Sequence, residues 1–157
     1  MYQRIFIPIF TLFLIPLSFL ETYIDPTGTY ILDEKTERSG DDIYGYTGQI
    51  QVKKIAVDTI VMTFEVNKGA PSYNSGSFVD TLNYNNNIAI YNNAEFDSTC
   101  KITFSFTKKG VVVKEETDNP NFGCDFGHAV FADGFFKKTS SKTPILVEPL
   151  TGEKLEQ

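Results

Sequence analysis

Few side chains in this sequence could do bond-making chemistry. His128 is the only histidine, Cys100 and Cys124 are the only cysteines, and no tryptophan occurs. That inventory is too small for a zinc cage or an iron–sulfur cluster, and it leaves a Ser-His-Asp device one candidate base. Glu95 and Asp97, two residues apart, could be cast as a glycosidase pair. Residues so spaced share a strand face, but nothing in the sequence adds a cleft or a raised pKa, so solvated loop acids are the simpler reading. Asp118 to Gly123 has the look of a calcium loop, yet Pro120 and Ala129 stand where an EF-hand needs an oxygen ligand and a glutamate, so a turn is expected. No catalytic residue, cofactor or metal is assigned.

Charge and compartment say more. Fourteen Lys and Arg face 20 Asp and Glu, a net of −6, the wrong sign for neutralising phosphates, so nucleic acid is excluded as a partner. Met1 to Leu20 carries one charge, Arg4, and then the run Ile5 to Leu20 with only Thr11 and Ser18 polar. A basic start followed by a short apolar run is the layout of a secretory leader over residues 1–20, or to 22. Pro8 and Pro16 argue against a long straight spanning helix. No Ala-x-Ala triplet follows, which keeps a retained anchor, the one route to a membrane, as the alternative. Removing the leader leaves the chain one unit more acidic. Export places Cys100 and Cys124 in an oxidising compartment, periplasmic or extracellular, where an even pair is most simply a disulfide; two free thiols are the competing state. Closing a loop of about 25 residues would be worth roughly 3.5 kcal/mol in the chain-entropy description.

Beyond residue 25, apolar and polar residues alternate at period two in short segments broken by Gly, Asn, Asp and Pro. Cys100, Ile102, Phe104 and Phe106 point one way, and Lys101, Thr103 and Ser105 the other. Strands are expected at 28–33, 46–55, 57–66, 77–83, 87–92, 99–107, 110–117 and 128–138. Thr107-Lys-Lys-Gly110 should turn a hairpin. Short sequential links among eight strands predict one all-β domain over 25–138, an antiparallel up-and-down barrel of calycin type, with a flattened sandwich as the alternative. Tyr30, Phe64, Phe78, Phe104, Phe106, Phe131 and one of Phe135 and Phe136 are the expected core aromatics. The charged stretch 33–42 reads as a solvated hairpin loop and 139–157 as a loosely held tail.

Gly28-Thr-Tyr30 resembles the strand start where lipocalin-like barrels carry Gly-x-Trp, with Tyr in place of Trp. Asn67 to Ser77 is an uncharged loop apart from Lys68, and Ser72, Tyr73, Asn74 and Ser75 have the composition of a contact surface. In composition and position it resembles the Ser/Gly-rich loop with which small bacterial envelope barrels inhibit lysozyme, without matching residue by residue. Residues 80–138, with Cys-Lys-Ile-Thr-Phe104, Gly-Cys-Asp-Phe-Gly127 and Ala-Asp-Gly-Phe135, resemble a family of small exported bacterial proteins of no assigned activity. That resemblance implies a Cys100–Cys124 bridge, with Gly123 and Gly127 supplying unusual dihedrals beside it. The expected function is a non-enzymatic exported binding protein of the bacterial envelope, whose partner is a basic hydrolase of the lysozyme type. The alternative is a carrier of a small apolar, lipid-like ligand in the barrel.

Overall fold

A computed structural model describes residues 22–156; the expected leader over 1–20 lies outside them. The chain runs β1 (Gly28–Leu32), β2 (Glu37–Ser39), β3 (Asp42–Ala56), β4 (Thr59–Gly69), β5 (Ser75–Asn85), β6 (Ile88–Tyr91), β7 (Lys101–Phe106), β8 (Gly110–Glu116) and β9 (Gly134–Ser140). A single 3-10 turn, Gly123–Asp125, interrupts the last connection. Every strand pairs antiparallel with its sequence neighbour from β3 to β9, and β9 returns to β1. β1 also pairs with β3, Gly28 opposite Val52 and Ile31 opposite Gln49. That pairing closes eight strands into a barrel consistent with a calycin-like fold and sets the sandwich aside. Among the described residues no helix is long and apolar enough to cross a membrane.

Alternation produces the interior. Ile60, Met62, Phe64 and Val66 on β4, Ile102, Phe104 and Phe106 on β7, and Val111 and Val113 on β8 are all buried. Each such side chain withdrawn from water contributes about 1.5–3 kcal/mol before entropy is charged. Aromatic rings fill the axis: Phe64 lies 5.3 Å from Phe78, 5.8 Å from Phe104 and 5.7 Å from Phe136. Of the expected core aromatics, Phe131 is exposed and Phe136, not Phe135, takes the core place.

Three expected segments differ. Residues 33–42 carry the short strand β2, which prolongs β3 as a two-stranded ribbon. The strand expected at 128–138 begins only at Gly134 and runs to Ser140, because residues 127–133 are spent on a loop that turns Val130 and Ala132 inward. In the expected loose tail, residues 139 and 140 belong to β9 and Leu146 is buried; the Val147 amide donates to Gln51 Oε1 on the outer face of β3.

The two ends of the barrel are unlike. One end holds the tight turns β3–β4, β5–β6 and β7–β8 and receives the chain at residue 22. In the β5–β6 turn, Asn86 and Asn87 take left-handed backbone angles, φ 50° and 60°, as a two-residue hairpin requires. Asn87 is buried; its Oδ1 accepts from the Ile24 amide at 2.8 Å and its Nδ2 donates to the Thr22 carbonyl at 3.0 Å. Tyr84 donates to the Ile24 carbonyl at 2.6 Å, so the entering segment is pinned across this mouth. Asn87→Ala removes both bonds and replaces a residue that tolerates positive φ with one that does not. It is expected to cost about 2–3 kcal/mol in denaturant unfolding, while Asn87→Gly, which keeps the backbone freedom, costs less.

Candidate functional site

The opposite end carries the long connections: β1–β3 with its ribbon, β4–β5 (70–74), β6–β7 (92–100) and β8–β9 (117–133). The last is the lid of this mouth, and three features lock it down. First, Cys124 is bonded to Cys100 at the start of β7, with Cα atoms 5.0 Å apart. Second, Phe126 enters the barrel and stacks on Phe64 at 6.0 Å. It fits because residue 76 on β5 is glycine; a Cβ there would stand 2.3 Å from the ring. Third, the loop's backbone is tied to both walls, by the Gly127 amide donating to the Ser75 carbonyl at 2.9 Å and Tyr46 donating to the Ala129 carbonyl at 3.0 Å. The left-handed residues beside the bridge are Cys124 (φ 58°) and Asp125 (φ 64°), not the two glycines. Gly123 is required instead for space, since a Cβ would meet Thr117 and Glu115.

Asp97 organises the next loop. Its Oδ1 accepts from the Thr99 amide (2.9 Å) and hydroxyl (2.7 Å), and its Oδ2 from the Thr117 hydroxyl (2.7 Å) and the Cys124 amide (3.2 Å). The Thr117 and Thr99 hydroxyls hold its carboxyl far below the usual carboxylate range. It is a partly exposed loop acid, as expected, but the structure joins it to the disulfide loop rather than to Glu95, which is exposed. Glu115 is the second acid with a structural role. Its Oε2 accepts from the Ala132 amide at 2.7 Å, its own amide donates to Asp133, and Oε1 is buried with no partner. Burial pushes its carboxyl up, against the Ala132 bond. The Ala132-Asp-Gly-Phe135 signature is therefore the strap that fastens the lid to β8.

The loop expected over 67–77 contracts to residues 70–74, because β4 continues to Gly69 and β5 starts at Ser75. Its candidate residues divide. Asn74 Nδ2 donates to the His128 carbonyl at 2.9 Å and the Ser75 carbonyl holds Gly127, so these two serve the lid. Ser72 and Tyr73 stay exposed, with the Tyr73 hydroxyl donating to the Asp42 carboxylate. His128 is exposed too, its ring 5.2 Å from Phe122. Among the described residues no group of three or more His, Cys, Asp or Glu side chains is placed to hold a metal ion.

Two residues that composition did not single out, Phe96 and Phe122, join Tyr73 as exposed aromatics at this end. Phe96 is 68% exposed, Phe122 57% and Tyr73 50%, from three different loops of this one end, with Tyr44 on β3 nearby in the ribbon. Acids outnumber cations at this end: Glu95, Asp118 and Asp125 lie in the loops of Phe96 and Phe122 and Asp41 and Asp42 in the ribbon, with Lys35, Arg38 and Lys68 among them. The local sequences of the two phenylalanines, Asn93-Ala-Glu-Phe-Asp97 and Asn119-Pro-Asn-Phe-Gly123, do not separate them from Phe126, which stands between Asp125 and Gly127 and is buried. No family model, curated protein or solved structure matches the chain. The loop end is therefore read from its own chemistry.

Two outcomes follow from the acids. Asp97 binds protons more weakly folded than unfolded, so its support of the lid is complete above the ordinary carboxylate value of 3.8 and fades as pH falls below it. Relative to the intrinsic exchange rate, the Thr99 and Cys124 amides that Asp97 holds should lose protection in that acid range, and Asp97→Asn should show reduced protection of both already at neutral pH. Glu115 has the opposite sign: its ionised form is carried at a cost above the usual carboxylate range. Glu115→Gln keeps the bond to Ala132 and should raise the thermal midpoint at neutral pH, with the gain shrinking towards acid.

Proposed function

We propose that the protein is a non-enzymatic, exported binding protein of the bacterial envelope that captures a basic protein, a lysozyme-type hydrolase, with its loop end. The observation that carries this reading is the group of exposed aromatics, Tyr73, Phe96 and Phe122, set among acidic loops on a rigid, disulfide-held mouth. Aromatic side chains that protrude from water-facing loops cost solvation unless they meet a partner, and they are the side chains that anchor protein interfaces. A surrounding acidic field raises the capture rate of a cationic partner and makes it salt-dependent. The disulfide also favours an oxidising compartment.

Preorganisation supports the same reading. The lid is held by a covalent bond, a buried ring and hydrogen bonds from three strands, so little loop ordering is left to be charged on binding. A carrier of an apolar ligand needs an open cavity in the barrel, whereas Phe64, Phe78, Phe104, Phe126 and Phe136 occupy that volume. No observation favours that second reading.

The test is inhibition of a basic lysozyme at low salt by a large molar excess of the purified protein. Inhibition that weakens with added salt is expected, and full lysozyme activity under these conditions defeats the proposal. Phe96→Ala with Phe122→Ala should weaken capture on the order of a hundredfold with no change in thermal midpoint, since neither ring is in the core.

A further inference from the structure

The tight-turn end bears a second surface, of opposite character and independent of the loop end. Lys53 and Lys54 lie at the end of β3, Lys108 and Lys109 form the β7–β8 turn, and Lys137 and Lys138 lie on β9 beside that turn, Lys137 opposite Gly110 and the Lys138 amide on the Lys109 carbonyl. The last four line one groove of about 500 Å3 with Phe135 and Asp33. Among the described residues, Asp25 and Asp58 are the other acids at this end. In a chain of net −6, this concentration of cations is a segregation of charge along the barrel axis.

Between Lys54 and Asp58 the β3–β4 hairpin tip exposes two aliphatic side chains, Ile55 at 52% and Val57 at 82%. They have no function in the core. The chain also arrives here, where Thr22 is held by Asn87, and in the sequence Glu21 and then the apolar run Ile5 to Leu20 precede it. Cations around a protruding aliphatic tip, next to the point of entry of an apolar segment, match the chemistry of a bilayer interface. Phosphate headgroups pair with the lysines, and the tip reaches the upper acyl region.

We propose that this end sits on an anionic phospholipid bilayer through Lys53, Lys54, Lys108, Lys109 and the Ile55–Val57 tip. The acidic loop end then points away from the surface.

The full chain is expressed and its product purified in whatever processed form it takes. Flotation with vesicles of equimolar phosphatidylglycerol and phosphatidylcholine is compared with pure phosphatidylcholine at low and high salt. Binding to the anionic vesicles that falls with salt is expected. Each lysine removed should weaken it about fivefold, so Lys108→Gln with Lys109→Gln should lose on the order of twentyfold. Ile55→Ser with Val57→Ser should weaken binding while leaving its salt dependence intact. Equal flotation with both vesicle types in the wild type and in both variants would overturn the proposal. So would failure to float with either type, or equal binding to soluble polyphosphate, which would make the lysines a site for polyanions rather than for a bilayer.

Discussion

Everything in this protein rests on the pairing of β1 with both β9 and β3. Without it the meander is an open sheet with two unsatisfied edges, and the aromatic interior has no wall on one side. Its tightest point is Gly28, where φ is 148° and a Cβ would stand 2.2 Å from the Ser140 carbonyl. The strands can approach at that corner only because residue 28 has no side chain. Tyr30, two residues on, then enters the barrel, donates to the Pro26 carbonyl at 2.6 Å and meets Phe106 edge-on at 5.8 Å. Closure of the backbone and packing of the axis are thus one event.

With the wall closed, the two mouths are free to specialise. One is shut by short turns and the entering chain, and it gathers the lysines. The other is shut by a long loop folded inwards, and it gathers acids and exposed rings. The inward fold of that loop is expensive, since Cys124, Asp125 and Ala129 all take left-handed angles without being glycine. The disulfide, Phe126 and the Asp97 carboxylate together hold it there. The exposed rings of this end are thereby displayed on a frame that the chain orders by itself.

The strands were legible because their signal is local. Period two in Ile60 to Val66 and Cys100 to Phe106 states both the strand and its inner face, and Thr107-Lys-Lys-Gly110 states a turn in four residues. The lid was not legible as a lid. Val130 and Ala132 are buried two apart, as in the strand expected there, but Ala132 is fixed by the Glu115 carboxylate and Phe126 by the space at Gly76, about fifty residues away. The role of Asp97 was not legible for the same reason, because two of its donors, Thr117 and the Cys124 amide, are distant in sequence. Tyr73 was found from its company of Ser and Asn. Phe96 and Phe122 were not, since nothing local distinguishes an exposed ring from one that packs.

Strand order carries a consequence for how the molecule is made. Most pairings are between neighbours, and such hairpins form as soon as each new segment is available. Closure differs, because β1 must wait for β9 and the chain up to Ser140. Until that residue has emerged, the nascent protein is a curling sheet with live edges and its phenylalanines open to water. Its most vulnerable interval is the short time between delivery of β8 and arrival of β9.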